Sequence, residues 1–563
     1  MVELSYDAIV VGSGANGGWA AKELCEAGMS VAVLELGREL EPATDFSEHT
    51  LPHELPLRGR QDPRTEAFAR RPIGRRNYAC EETTVSFFAD EVDHPFTFPK
   101  KRPFWWIRGN QVGGRTIMWG RQSYRMSDYD FKAKTHDGYG DDWPISYADV
   151  APYYDKVESF IGVSGSREGV EVLPDGQFLP PMAMSCGEHM LKDKVDTMGR
   201  RVTIGRAAVL TQRHNGRAAC HYCGPCHRGC LTASYFSSPS STLPAAAATG
   251  KLTLIANAMV HRVTLDAEAR ADGVLYFDTK SGQEHRLRAP IVILAASTLA
   301  SARLLLTSAE DRFPNGLANS SGLVGRYLMD HIFAVGADGY LPLRKGAKAE
   351  LAKRPNGIYI PRFRNVRDKQ QGFVRGYGYQ GGESVTVYEH AYSMPGFGAE
   401  WKERVKTETV ARLSLTGFGE MLARQENRCY LDPAKKDAWG VPVLRIDVQH
   451  GDNEAAMARD MIEQAVAMLE AAGAEQITTR TELPPPGFAI HEVGTARMGN
   501  DPKTSVLTPF LQTHDVKNLF VMDGSSYVSI GCVNPTLTMM ALTVRACENL
   551  VAEAKRGSFG KAA

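Results

Sequence analysis

No stretch of this chain approaches the ~20 consecutive apolar residues that span a bilayer. The longest runs, such as Ile291 to Ala296, are far shorter, so a spanning helix is not expected and the protein reads as soluble or peripheral. Net charge is missing too. Sixty-five basic and 65 acidic side chains sum to zero, which gives neither nucleic acid nor an anionic membrane a reason to bind. Ten cysteines in 563 residues are too few for a disulfide scaffold. Internal repeats and low-complexity linkers are absent. No basic and then apolar leader precedes the first strand at about Tyr6, so the expectation is a cytoplasmic protein or one exported already folded on a signal-bearing partner. What remains is an ordinary globular composition, 43% hydrophobic and 23% charged, at a length that calls for two or more subdomains.

Four of the ten cysteines crowd between Cys220 and Cys230. Cys220, Cys223, Cys226 and Cys230 are spaced x2, x2, x3, the ligand spacing of a bacterial ferredoxin run. Structural zinc is the competing reading, but zinc sites usually divide two Cys pairs by a longer loop. The compact run favours iron–sulfur. In two-cluster ferredoxins the fourth Cys of such a run serves the other cluster, so with one run both a three-ligand 3Fe-4S and a four-ligand 4Fe-4S cluster stay open. The remaining six (Cys25, Cys80, Cys186, Cys429, Cys532, Cys547) are scattered and read as inert core residues.

The N-terminus reads as strand, glycine loop, helix, strand, acid. Tyr6 to Val11 forms the strand and Gly12, Gly14 and Gly17 the loop, followed by a helix over Gly18 to Ala27. A second strand over Ser30 to Leu34 ends at Glu35. This is the full dinucleotide fingerprint. Gly12 permits the tight turn, Gly14 lets a pyrophosphate approach, and Gly17 permits close helix–strand packing. The helix N-terminus supplies N–H groups to phosphate, and Glu35 is placed to accept ribose hydroxyls.

Further along, residues 40 to 105 lack periodicity and read as a long surface excursion. Leu252 to Leu265 and Val274 to Val292 are β-type runs, and a helix follows over Thr298 to Thr307. Residues of about 335 to 480 suit an antiparallel sheet, with an amphipathic helix over Asn453 to Gly473. A short strand, Asn518 to Met522, leads to a helix over Thr536 to Ala552. The fold class expected is α/β: a dinucleotide-binding, Rossmann-like domain interleaved with an α+β substrate domain built on an antiparallel sheet. The boundaries expected are 1–155, 211–330 and 481–563 for the dinucleotide domain, and 156–210 and 331–480 for the substrate domain.

On six ordered motifs the chain resembles the glucose–methanol–choline (GMC) flavin oxidoreductases. They are the glycine loop, Val112-Gly-Gly-Arg-Thr-Ile-Met-Trp-Gly120, the Asp142-Trp-Pro to Pro-Tyr-Tyr154 segment, Ala295 to Ser308, His491 to Gly499, and Asp523-Gly-Ser-Ser with Asn534-Pro-Thr-Leu-Thr538. Two features depart from the commonest pattern. Arg115-Thr116 stands where Ser is frequent and Met118-Trp119 where Asn-Gly is frequent, and the cysteine run is extra. That run resembles the iron–sulfur loop of bacterial FAD-dependent sugar dehydrogenases.

The resemblance implies FAD, contacted by Gly113, Gly114, Thr116, Val260, Asp523, Pro535 and Thr536 besides the loop residues. It implies His491 as the base that takes a hydroxyl proton while hydride passes to flavin N5. Asn534 falls at the second catalytic position, where its amide can donate to the substrate oxygen. The helix start at Pro535 would favour reduced, anionic flavin. His331 reads as a supporting residue. Trp105, Trp106 and Trp119 are candidates for stacking on a sugar, with core packing the expected role of at least two. The implied activity is dehydrogenation of a secondary sugar hydroxyl, C3 of a glucoside ahead of C1 of glucose or a gluconate. Partners implied are a small signal-bearing subunit and a cytochrome c acceptor, with a periplasmic location by co-export. An oxygen-using oxidase and a non-catalytic subunit that kept the fold are the alternatives.

Overall fold

The computed structural model describes residues 6–559 except 52, 60–61, 345, 348–353, 368, 370–371, 386–390, 392–393 and 408–409. Short strands of continuous aliphatic residues build a five-stranded parallel sheet in the order Leu519–Val521, Val292–Leu294, Ala8–Val11, Val31–Leu34, Leu252–Ile255. The first four are fully buried, as expected when helices and loops cover both faces of a parallel sheet. Helix Ala15–Glu26 follows the first strand at once and packs against Thr242–Ala248 and Thr536–Lys555. It starts three residues before the expected Gly18, because Gly17 and Gly18 are themselves helical.

A second sheet has seven strands. Its order runs Glu475–Arg480, Gly336–Tyr340, Ala411–Glu420, Tyr377–Val385, Ile358–Ile360, Thr203–Ile204, with His331–Ile332 also paired to Ala411–Glu420. Helix Asp452–Ala471 lays Met457, Met461, Ala465 and Met468 on it. Gly417 and Gly419 leave room for the Met461 and Met457 side chains, which a Cβ at either glycine would strike.

A smaller sheet, Pro442–Asp447, Arg428–Lys436, Arg326–Met329, Val493–Thr495, ties the two layers together. In it Met329 lies opposite Val493 in an antiparallel pair. Two residues beyond each, His331 and His491 are therefore brought face to face.

Three readings change. Leu252 to Leu265 is not one strand: the chain turns at Asn257, φ +57°, between Leu252–Ile255 in the parallel sheet and Ala258–Leu265 in a separate three-stranded antiparallel sheet. Residues 40–105 are not a bare surface excursion. Phe68, Cys80, Phe87 and Phe88 form a buried cluster with Ile107, Ile117 and Met118, which the absence of periodicity concealed. Cys186 is exposed at the start of helix Cys186–Thr197, whereas Cys25, Cys80, Cys429, Cys532 and Cys547 are buried. No described helix is long and apolar enough to cross a membrane.

Candidate active site

A cavity of about 1670 Å³ runs from the ends of the parallel strands to the face of the seven-stranded sheet. Gly12, Gly14 and Glu35 line one end, and Gly114, Thr116 and Val260 line its wall. Asp523, Pro535 and Thr536 line it near His491 and Asn534. Gly17 and Gly113 are not in the lining and act through backbone packing. A Cβ on Gly17 would overlap the Gly12 carbonyl oxygen, and Gly113 sits at φ +92°, where a Cβ would strike the Pro239 ring.

The cavity end at Gly14 is suited to phosphate. Helix Ala15–Glu26 begins there with no side-chain cap, so its first N–H groups await an acceptor. A Cβ on Gly14 would meet nothing nearer than the Gly113 oxygen at 4.0 Å, which leaves the approach open. Glu35 accepts from Ser13 N at 3.0 Å, Ser13 Oγ at 2.6 Å and Gly37 N at 3.1 Å. These bonds aim the carboxylate and leave acceptor positions for ribose hydroxyls. Burial raises its pKa, opposed by the Ser13 and Gly37 hydrogen bonds. At the other end helix Thr536–Lys555 also lacks a side-chain cap behind Pro535. Two bare helix N-termini facing one elongated cavity fit FAD, with phosphates at one and an anionic ring system at the other.

The structure brings the two candidate catalytic residues together. Asn534 Nδ2 donates to His491 Nε2 at 3.2 Å, and Gln380 Nε2 donates to Asn534 Oδ1 at 2.6 Å. Gln380 fixes which way the amide points, so its N–H faces the imidazole. Behind the pair, His491 Nδ1 lies 2.9 Å from His331 Nδ1, and His331 Nε2 lies 3.0 Å from the Gly531 carbonyl. A carbonyl only accepts, so His331 Nε2 carries the proton. Burial holds the His331 pKa down, to about 4, so the ring is neutral and its Nδ1 is a bare acceptor. His491 must then carry its proton on Nδ1, which leaves the Nε2 lone pair toward the cavity. Burial, then His331, then Arg115 hold the His491 pKa well below the usual imidazole value. The hydrogen bonds thus leave the Nε2 lone pair of His491 on the Asn534 side.

Asp330 supports the same histidine from the backbone side. Its carboxylate accepts from Gly487 N at 2.6 Å, Ala489 N at 3.2 Å and His491 N at 3.1 Å. Burial first and the Glu492 charge second raise its pKa to about 7. Buried Glu492 in turn pairs with Arg115 at 2.8 Å. Replacing His331 with Ala is expected to lower turnover by roughly 10- to 100-fold with KM little changed, part of the ~10²–10⁴ that a positioned base supplies. His331→Asn, whose oxygen can accept from His491 Nδ1, should recover most of it. Steady-state kinetics on the two variants check this, and equal losses in both would contradict the tautomer argument.

Sequence reasoning missed Gln380 altogether. It sits in strand Tyr377–Val385 with no motif around it, and only the sheet places it beside Asn534. Trp106 and Trp119 line the cavity, while Trp105 packs edgewise on Phe488 at 5.3 Å beneath Arg76.

The cysteine loop lies behind the cavity wall. Cys220, Cys226 and Cys230 pack against Met182, Ile204, Ala207, Val209 and Tyr235. Backbone N–H groups of Tyr222 and Ser234 donate to the Cys220 and Cys230 sulfurs at 3.4 and 3.3 Å. The four thiols feel one another: Cys223 is pushed up to about 11, first by burial and then by Cys226, Cys230, Glu48 and Cys220. Among the described residues no three His, Cys, Asp or Glu side chains are close enough to hold a single metal ion. Tyr222, Trp119 and Arg121 belong to both the cavity lining and the surroundings of this loop.

Comparison with known proteins agrees with this geometry. The family model for GMC oxidoreductase matches residues 6–333 for its N-terminal part and 423–543 for its C-terminal part. A 2-methyl-1,2-propanediol dehydrogenase of Mycolicibacterium austroafricanum is 33% identical, covering 96% of this chain and 94% of its own. The fructose dehydrogenase large subunit of Gluconobacter japonicus is 28% identical, covering 98% and 99%. Pyridoxine 4-oxidase from Mesorbium loti superposes with a TM-score of 0.62 at 15% identity, covering 96% and 98% of the two chains. With the family's N-terminal and C-terminal models matching residues 6–333 and 423–543 and a relative 33% identical over nearly the whole chain, the chain belongs to the GMC oxidoreductase family.

Proposed function

We propose that this protein is an FAD-dependent dehydrogenase that oxidises a secondary hydroxyl of a sugar or glycoside, C3 of a glucoside in first place. We propose also that it passes electrons to a one-electron acceptor instead of oxygen. The observation that carries the reaction type is the hydrogen-bonded series Gln380, Asn534, His491, His331, Gly531. A substrate hydroxyl between Asn534 and His491 would accept from the amide N–H and give its proton to His491 Nε2. FAD, when bound, supplies the hydride acceptor. The protein's part is to orient the alcohol, hold the proton and exclude water.

The substrate class rests on the wall beside Gln380. Ile358 pairs with Gly381, which brings Arg354 and Asn356 alongside, and Glu188, Gln122 and Glu383 complete a strongly polar surface. Such a wall suits several hydroxyls better than an alkyl chain. The 33% identical diol dehydrogenase favours a second reading, a small branched diol as substrate.

The acceptor rests on the cysteine loop. Cys220, Cys223, Cys226 and Cys230 keep the spacing of a ferredoxin run, whereas zinc sites usually divide two Cys pairs by a longer loop. An iron–sulfur cluster there would supply one-electron chemistry. The relative named as a fructose dehydrogenase large subunit supports a partner subunit; a small signal-bearing subunit, a cytochrome-type acceptor and a periplasmic location by co-export complete the proposal.

Visible and electron paramagnetic resonance (EPR) spectra of anaerobically purified protein, before and after methyl glucoside, test both halves. Flavin bleaching with a changed iron signal is expected. Bleaching in a zinc-containing protein that forms hydrogen peroxide would replace the dehydrogenase reading with an oxidase, and bleaching by 2-methyl-1,2-propanediol alone would replace the sugar.

A further inference from the structure

Arg115, one of the two departures from the commonest sequence pattern, joins the two ends of the cavity. It lies in the short turn Gly114–Ile117, and Gly114, Arg115 and Thr116 of that turn line the cavity. The turn is tied to the phosphate end. Gly113 N donates to Ser13 Oγ at 2.9 Å, and Ser13 Oγ donates on to Glu35 at 2.6 Å. The Thr116 hydroxyl donates back to the Gly113 carbonyl at 2.5 Å. On its other side the turn reaches the base. Arg115 Nη1 donates to Glu492 Oε2 at 2.8 Å and to the Ile490 carbonyl at 3.3 Å. One guanidinium nitrogen therefore holds both neighbours of His491.

Two observations show that this contact is more than a surface ion pair. Ile490 has φ +63°, a left-handed conformation that a β-branched residue keeps only where its surroundings enforce it. Arg115 grips the carbonyl of that strained residue, and Asp330 takes the N–H of the next, at 3.1 Å. The Glu492 side chain is 1% exposed, and among the described residues Arg115 is the one hydrogen-bond donor to its carboxylate. Its other oxygen, Oε1, is buried with no partner. Removing Arg115 would leave a buried carboxylate with no donor at all, the costly way to break such a pair.

We propose that Arg115 is a positioning residue that pins Ile490 and Glu492, and with them the imidazole of His491, to the turn beside the dinucleotide loop. The proposal rests on the reading of His491 as the base. The clamp brings a charge with it. Few charged or titratable groups face His491: neutral His331 at its Nδ1, Asp330 at its backbone N–H, and Arg115 and Glu492 beside it. Glu420, opposite His331 in the paired strands, is tied to Arg375 at 3.1 Å, and Arg108 acts on Glu492. Arg115 opposes a proton on His491. Loss of its charge with Glu492 left behind would favour the imidazolium and withdraw the neutral base at low pH.

The test is anaerobic flavin bleaching against pH, beside calorimetry of each apoprotein, for Arg115→Ser, Arg115→Lys and the double variant Arg115→Ser with Glu492→Gln. Arg115→Ser is expected to bleach roughly 10- to 100-fold more slowly, as a displaced reacting group does. Its acid limb should move up by roughly one pH unit, and its apoprotein Tm should fall. Lys keeps the charge but reaches fewer acceptors, so it should hold the limb near the parent's and recover part of the rate. The double variant carries no orphaned carboxylate. It should regain the Tm and most of the limb shift but stay slow. An unchanged rate and limb in Arg115→Ser would overturn the proposal. So would full recovery of rate in the double variant, since the pair would then serve stability alone, or an equal limb shift in the Ser and Lys variants. A parent-like rate in His491→Gln would instead bring down the base reading, a result told apart because that variant leaves Arg115 in place.

Discussion

Flavin reduction by substrate is expected to slow by roughly 10²- to 10⁴-fold when His491 is replaced by Gln, the usual worth of a positioned general base. Gln keeps a side chain that can bond to His331 and Asn534, so the cavity should still fill with flavin and KM should move little. What is lost is the lone pair that takes the hydroxyl proton. Anaerobic stopped-flow measurement of flavin bleaching reads this step free of any acceptor. A loss of less than tenfold would remove His491 from the role of base. The pH profile adds an independent check. Burial first, with Arg115 also disfavouring a second positive charge, keeps the His491 pKa well below its ordinary value, so the neutral, competent form persists as pH falls through that value. The bleaching rate should be level from about pH 6.5, the ordinary imidazole value, upward. It should decline only on the acid side, and a limb centred above 6.5 would contradict the assigned cause.

The second large effect is expected at Gly17. A methyl group there would overlap the Gly12 carbonyl oxygen and stand 2.8 Å from the Gly12 carbonyl carbon. Both are backbone atoms of the loop that carries the phosphates, so no side chain can yield. Gly17→Ala should cost at least ~3 kcal/mol, the upper part of the usual range for overpacking, and the chain should be recovered without flavin and with a lowered Tm. Gly14→Ala is the informative contrast. No protein atom closer than 4.0 Å meets that methyl, so the apoprotein should melt as before while FAD affinity falls. Differential scanning calorimetry with and without FAD separates the two. Equal apoprotein stability for both variants would contradict the packing role given to Gly17.

The parallel sheet and its ligand end were legible because the evidence there is local. Strand, glycines, helix and Glu35 lie within about thirty residues. The same holds for the cysteine spacing, and for His491 and Asn534 through their motifs. The cover over the cavity was not legible, since residues 40–105 bury Phe68, Phe87 and Phe88 through irregular turns that leave no period in the sequence. Gln380 and the orienting role of His331 were hidden for another reason. Each acts across a pairing of strands distant in the chain, Tyr377–Val385 with Ala411–Glu420 and Met329 with Val493.

The base and the substrate wall belong to different sheets. His491 and Asp330 flank the paired strands Val493–Thr495 and Arg326–Met329 of the small sheet, where slipping one strand by a single residue would turn the side chains to opposite faces. The wall around Gln380 sits on the seven-stranded sheet, and Gln380 reaches His491 through Asn534. Substitutions can therefore reshape what the cavity admits while the proton-taking geometry stays fixed. A family built this way can diversify its substrates without reinventing its chemistry, and relatives named for a diol, a hexose and an acid sugar are what such a division of labour would leave behind.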